Sequence, residues 1–413
     1  MKAFFKNQKC RICKSTDLFK VLDFGKTPLA NAFIKPEQIS KQEHFFPLAV
    51  NFCQNCHLLQ LTHTVSPRIL FRDYVYVSST SPVFIQHFID YATQVKKMLN
   101  LPQKSLVIDI GSNDGILLAP FQKLGMRVLG IEPATGIAKI ANKNGLETIA
   151  EFFSLSLVKK IIEKYGYASV ICANNVFAHI NDIDKVTAGV YELLSKNGVF
   201  VIEVPYLLDF LDKNLFDTVY HEHLSYYALH PLITFLNGFD MRIFFVERVS
   251  SHGGSIRVYI CKANARYRLH HSVNNLQKLE QQAHLGKLSI YKKFAQRIEK
   301  NKQKLTFLLD KLKANGKSIA GYGAPAKGNT LLNYFHINRH TLDYIVDDSK
   351  YKQGLLTPGT HIPVVSSQKL KQDPPDYLLI LAWNFANSII EKNEQFKKAG
   401  GKFIIPIPEP KII

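Results

Sequence analysis

The sequence predicts a three-part α/β protein: a small thiol-rich module, a doubly wound parallel sheet, and a second, smaller unit of the same kind. Three observations carry this. Two Cys-x2-Cys pairs lie near the start, an apolar strand, glycine turn and helix start follow one another at 105–118, and the same theme returns at 316–332. The 413 residues suit about three domains, and 46% apolar content is that of an ordinary globular chain. Residues 1–20 carry no apolar h-region, and no apolar run reaches the roughly 18 residues of a membrane span, so a soluble, cytoplasmic protein with no membrane partner is expected.

In the first part, Cys10 and Cys13 form one knuckle and Cys53 and Cys56 the other. Two knuckles complete the sulfur tetrahedron of a structural zinc site, with no open position for water, so the metal holds the fold and does no chemistry. Disulfides, which a cytoplasmic setting disfavours, and a redox pair are the alternatives. Strands are expected at 18–24 and 49–52. Cys172 and Cys261 lie in apolar runs and read as buried inert thiols.

The second part opens with an apolar strand from Leu106 through Asp109, then Gly111, Asn113, Asp114 and Gly115, then a helix start; a further strand ends in Glu132 and Pro133. A dinucleotide loop would show three glycines and free amides for a pyrophosphate. Here two glycines are bracketed by Asp109 and Asp114, carboxylates that repel a pyrophosphate and suit a ligand with an ammonium and a sulfonium, S-adenosylmethionine. Glu132 is placed to accept from both ribose hydroxyls. The favoured fold is therefore a class I methyltransferase Rossmann-like core, flanked by the zinc-binding domain and a second Rossmann-like domain. Phe152 and Phe153, at the end of a strand over 147–153, suit adenine stacking or are plain core aromatics. Asn174 and His179 follow the strand at 168–174, where strand-end loops line the ligand crevice.

Between Tyr220 and Tyr227, two histidines, a carboxylate and tyrosines crowd into eight residues. A His-x-His metal pair, a structural polar cluster, and general acid–base work with Glu222 orienting a histidine all remain open, the last being favoured. Downstream, His252-Gly-Gly-Ser with Arg257 offers a phosphate grip or a glycine-rich hairpin with a solvated arginine. The 316–332 loop adds Tyr322, Lys327 and Asn329 at a helix N-terminus, an anion site. Further strands at 342–346 and 376–381 complete the second unit. The resulting partition is 1–68, 69–262, a helical connector at 263–315, and 316–413.

The formal charge of +19 suggests nucleic acid, but its location argues otherwise. Residues 262–317 hold +11 of it, while residues 91–261 are neutral. Apolar residues from Leu288 to Leu312 recur at helical steps, so 287–313 reads as one amphipathic helix with its lysines solvated. No aromatics alternate with them as on a single-strand platform. A zinc-containing RNA methyltransferase is the rival reading and a nonenzymatic zinc-stabilised binding protein a third; neutrality around the cofactor segment speaks against the first.

Taken in order, the four cysteines, the Asp73–Ser81 segment with Tyr74, Tyr76, Ser78 and Ser79, the Gly111–Gly115 loop, the Tyr220–His223 segment, the Ser251–Arg257 segment and the Gly321–Gly328 loop resemble the nucleotide-sugar C-methyltransferases. Those enzymes add a branch methyl to a 4-keto deoxysugar, typically at C3, in making sugars such as mycarose or tetronitrose. The resemblance spans nearly the whole chain. It implies that His223 is the base, with Tyr220 and Glu222 beside it, and that His179 and a tyrosine of the Tyr74/Tyr76 pair, Tyr76 being favoured, face the sugar. It further implies a TDP- or GDP-linked substrate held by Ser79, His252, Arg257, Tyr322, Lys327 and Asn329, with Arg257 and Lys327 on the diphosphate. A monomer without nucleic-acid partners is expected.

Overall fold

The computed structural model describes residues 3–71, 79 and 82–413. Each cysteine pair sits on a tight turn. The Lys14 amide donates to the Cys10 carbonyl (3.1 Å) and the His57 amide to that of Cys53 (2.9 Å); Lys14 and His57 both take left-handed φ, 61° and 65°. Strand Leu18–Pro28 runs antiparallel to Phe45–Cys53, with Leu18 opposite Cys53, so the sheet starts at the second knuckle. Leu59–Leu61 pairs next, and its outer edge is covered by Ser225–Tyr226 from the segment rich in histidine. The sequence partition, which ends the first module at 68, gives no hint of this borrowed strand.

The central sheet has seven strands. Numbered along the chain as Leu106–Ile110, Arg127–Ile131, Thr148–Ile149, Ala168–Asn174, Leu194–Pro205, Met241–Val249 and Ser255–Lys262, their order is 3-2-1-4-5-7-6, with Ser255–Lys262 antiparallel to both neighbours. All five residues of Leu106–Ile110 are buried, as in a strand covered on both faces. The strand order reverses between Leu106–Ile110 and Ala168–Asn174, and that switch point opens a crevice at the carboxyl ends of the strands. The strand expected at 147–153 is shorter, Thr148–Ile149.

The C-terminal sheet has six strands, five parallel and the last, Lys411–Ile412, antiparallel. Its first strand, Ile319–Tyr322, turns through Gly323 at φ 84° into helix Ala326–Phe335.

Helix Leu288–Ala314, 27 residues and about 40 Å long, is more than a connector. Tyr291 stacks on Phe52 of the zinc module at 4.1 Å, and Phe294 meets Phe210 beside the central sheet at 5.0 Å. Asn301 donates to the Pro406 carbonyl of the C-terminal unit (3.2 Å). One face thus pins all three parts while most of its lysines are exposed, Lys302 lying over the Tyr334 ring at 4.6 Å. The parts also converge on residues 217–223: Thr330 donates to the Val219 carbonyl (3.2 Å), Trp383 to Asp217 (2.6 Å), and Asn31 of the first module to Glu222 (2.7 Å). Among the described residues, no helix is long and apolar enough to cross a membrane.

Candidate active site

The four knuckle sulfurs lie within 4.8 Å of one another, Cys10 to Cys56 at 3.4 Å and Cys13 to Cys53 at 3.5 Å. A tetrahedron of 2.3 Å zinc–sulfur bonds has edges of about 3.8 Å, so the four thiols fit the ion. A hydrogen bond from Cys56 lowers the Cys10 pKa to about 5, while burial pushes Cys53 to about 11. Four thiolates in this space need a dication to coexist.

The crevice of the central sheet holds the acidic loop. Gly111 (φ 70°) and Gly115 (φ 85°) are left-handed, and a Cβ on Gly111 would come within 2.5 Å of Val176, so the loop closes only on glycine. Asp109 is pushed well up by burial and by the charge of Glu132, and burial raises Glu132 as well. A cationic ligand would reverse both shifts. Glu132 accepts from the amides of Asn113 (3.0 Å) and Ala134 (2.8 Å), each oxygen keeping further lone-pair capacity; Pro133 shapes the turn between. Asp114 accepts from the Ser79 amide (3.3 Å). Its other oxygen, and both amide atoms of Asn174 at the strand end, are buried with no partner among the described residues. Orphaned donors and acceptors beside two carboxylates fit the amino acid end of S-adenosylmethionine. The two aromatics divide: Phe153 packs against the core, whereas Phe152 is 54% exposed and available for stacking.

His223 lies at the centre of the histidine segment. Its Nδ1 donates to the Thr218 carbonyl (2.8 Å), which leaves the lone pair on Nε2. Its ring stacks on His179 at 4.9 Å and lies 4.0 Å from Tyr220. The Leu224 amide donates to the Ala178 carbonyl (2.9 Å), joining the two histidine loops directly. His221 turns away to the Phe46 carbonyl (3.3 Å) and burial lowers its pKa to about 4. The His-x-His metal reading therefore fails, and among the described residues the four cysteines form the one metal-type cluster. Glu222 was expected to orient a histidine; a backbone carbonyl does so instead. Glu222 itself is buried, accepts from Asn31 Nδ2 (2.7 Å), and is pushed up to about 7 by burial.

At the C-terminal loop, Lys327 lies 4.3 Å over the Trp383 ring and donates to Asn384. Burial lowers its pKa to about 8 against the pull of Asp217. Asp217, three residues before Tyr220, is raised by burial to about 6 despite Lys327.

Three family domains match the chain: "Putative zinc binding domain" at 10–71, "Methyltransferase domain" at 85–243, and "C-methyltransferase C-terminal domain" at 250–408. C-methyltransferase NovU of Streptomyces niveus is 37% identical over 98% of this chain and 96% of its own length. The chain belongs to the C-methyltransferase family. It is an S-adenosylmethionine-dependent enzyme with a four-cysteine zinc module. Ubiquinone biosynthesis O-methyltransferase of Azorhizobium caulinodans is 21% identical over 42% of this chain and 63% of its own. Among solved structures, the plantazolicin methyltransferase BpumL with SAH is similar at 13% identity and TM-score 0.36, over 44% of this chain and 85% of that one.

In this C-methyltransferase several expected substrate contacts are placed elsewhere. Arg257 is no diphosphate grip. It is 3% exposed, bonds Glu203 through Nε (3.0 Å) and Nη2 (2.9 Å) and Glu247 through Nη1 (3.2 Å), and lies over Tyr91 at 4.0 Å. The glycine pair before it makes the turn of a hairpin, with a buried arginine where a solvated one was the alternative. Ser79 sits against the cofactor loop through its amide. Asn329 spends its amide on Ala30, and Tyr322 is buried with its hydroxyl 3.5 Å from Asp348. Tyr74, Tyr76 and Ser78 lie outside the described residues, as does the side chain of His252. Sequence reasoning missed Asn31 and Arg11, neither of which carries a local motif of its own; Trp383 and Asp217 were visible only as a strand-end residue and a flank of the histidine segment.

Proposed function

We propose that this C-methyltransferase acts on a 4-keto deoxysugar linked to TDP or GDP, methylating C3 with His223 as general base. The observation that carries the reading is the tautomer of His223: Thr218 holds the Nδ1 proton, so Nε2 is the basic atom, in a stack with His179 and Tyr220 beside the crevice. Carbon becomes nucleophilic when a proton is lost next to a ketone and the charge spreads to oxygen as an enolate. His223 Nε2 takes that proton, and the Thr218 carbonyl steadies the imidazolium that results. Among the described residues, Tyr220 and His179 beside His223 are the polar groups offered to the enolate oxygen, with Tyr76 as a further candidate. S-adenosylmethionine, when bound, supplies the sulfonium methyl that the carbanion takes up. Lys327, at the start of helix Ala326–Phe335, meets the diphosphate, and an anion there restores the charge that burial opposes.

Incubating the enzyme and S-adenosylmethionine with a panel of TDP- and GDP-linked 4-keto sugars should give a carbon-linked methyl by mass with at least one. No product with any of them removes the substrate assignment and leaves the family intact. In D2O without the methyl donor, the wild type should wash deuterium into C3. His223→Asn should lose both exchange and methylation by roughly 10²- to 10⁴-fold while still binding S-adenosylmethionine; near-normal turnover by the folded variant would overturn the base assignment.

A further inference from the structure

Arg11 stands between the first two zinc-ligand cysteines, where a solvent-facing side chain would serve the knuckle equally well. Its guanidinium instead runs inward and is 9% exposed. Nε donates to Ser225 Oγ (3.2 Å), Nη1 to Asn181 Oδ1 (3.5 Å), and Nη2 to the carbonyls of Ile180 (2.5 Å) and Asn181 (2.9 Å). Ile180 directly follows His179, and Ser225 lies two residues beyond His223. The same arginine therefore grips the loop of each stacked histidine, and the Leu224 to Ala178 bond closes the gap between them. At its root, the Arg11 amide donates to Gln60 Oε1 (2.8 Å), and Gln60 is the cross-strand partner of Ser225. The Arg11 carbonyl accepts from Lys14, which is also paired with Asp184 (2.6 Å).

We propose that Arg11 is a positioning residue through which the zinc knuckle fixes the His179 and His223 loops at catalytic spacing. Among the described residues no carboxylate receives the guanidinium directly, so the contact is a fork aimed at loop acceptors and not an ion pair added for stability. Five donors in a rigid plane do this; a lysine ammonium on a flexible stem cannot hold Ser225 and two successive carbonyls together. The catalytic meaning of the clamp rests on the reading of His223 and His179 given above, but the clamp itself is independent of it.

The test uses the zinc-loaded full-length enzyme. Arg11→Ala should retain zinc by elemental analysis and S-adenosylmethionine affinity by calorimetry. Amide hydrogen exchange at 178–182 and 223–226 should rise at least about tenfold for an opened local structure. A displaced base should lower kcat about 30- to 100-fold with a much smaller change in KM. Arg11 lines an open cleft with Phe5, Asn7, Asn181 and Asp184, so millimolar guanidinium added to Arg11→Gly should restore part of kcat and of the exchange protection. Should Arg11→Ala shed zinc, Arg11→Lys carries the same readouts. Unchanged exchange at both loops in a zinc-loaded variant overturns the clamp. Raised exchange with normal kcat keeps the clamp and overturns the roles given to the two histidines.

Discussion

The central and C-terminal sheets begin alike and end with opposite charge. Each opens on a buried parallel strand, turns through a left-handed glycine, Gly111 at 70° or Gly323 at 84°, and enters a helix. At the first turn stand three carboxylates, Asp109, Asp114 and Glu132; at the second stand two amines, Lys327 and Lys352, the latter donating to the Ala324 carbonyl (2.9 Å), and one carboxylate, Asp347, which accepts from the Ala324 amide (2.7 Å). Burial works against the charge at both: it raises Asp109 and Glu132 and lowers Lys327 and Lys352. The shared scaffold places a ligand at the strand ends, and the side chains at the turn decide its sign. On the proposed function, a cation occupies the first crevice and an anion the second.

Arg257 belongs to neither crevice, and the largest expected effect follows from that. In the cross-strand register it stands opposite Glu203 on one side and Glu247 on the other. Glu203 is fully buried; burial would raise it, but His87 and Arg257 hold its pKa at about 2. Arg257→Met strands that carboxylate and should cost about 3–5 kcal/mol, the usual result of removing one member of a buried pair, read from denaturant midpoints. KM for the nucleotide sugar should not move. The double variant Arg257→Met with Glu203→Gln should regain part of the loss. A stable Arg257→Met enzyme with raised KM would return the arginine to the substrate and blur the contrast between the two sheets.

The misplacement of Arg257 shows where the sequence stops being legible. The knuckle spacing, the acidic glycine turn, the strand at 168–174, the strand, loop and helix theme at 316–332 and the helix at 287–313 are local patterns, and the structure follows them closely. What a single sequence does not carry is register. Nothing near Arg257 says that Glu203, 54 residues earlier, will lie beside it. Nor does anything near Ser225 say that it will extend a sheet begun at Leu18, bringing it to Arg11. In the candidate site, His179 was readable as a residue after a strand end, and Tyr220 and His223 as members of a dense polar segment. The choice of Thr218 rather than Glu222 as partner of His223 was not, because it depends on how a loop folds back by five residues.

Lys327→Met tests the basic crevice by itself. A charge-assisted hydrogen bond to an anion contributes about 1.5–3 kcal/mol, so the nucleotide sugar KM should rise about 10- to 100-fold. The affinity for S-adenosylmethionine, by calorimetry without sugar, should stay as it is. Equal weakening of both ligands would mean that the two crevices are one coupled site.

The smallest effect, and the sharpest comparison, comes from pH. Lys327 has a pKa of about 8 in the free enzyme because burial disfavours its charge, and a bound diphosphate favours it. Below pH 8 the cation already exists and binding exchanges no proton. Above pH 8 binding must take one up, so affinity should fall by up to about tenfold per pH unit. The diphosphate diester has no group titrating in this range. Asp217, facing Lys327 with a pKa of about 6, is ionised across the alkaline limb and cannot supply that slope; its protonation below pH 6 removes an opposing charge and does not weaken the anion. For S-adenosylmethionine the sign reverses. Its cation needs carboxylates whose pKa values burial has raised, so affinity should fall toward acid as Asp109 and Glu132 take up protons. Calorimetry across pH 5.5–9.5, a range of about four units around the Lys327 value, should show a loss toward acid for S-adenosylmethionine alone, whose own α-ammonium adds a separate loss above about pH 8, and a loss only toward alkali for the sugar. Lys327→Arg, which keeps its proton throughout, should flatten the alkaline limb for the sugar alone. Parallel profiles, or an alkaline limb that survives Lys327→Arg, would sink the assignment of opposite ligand charge to the two turns.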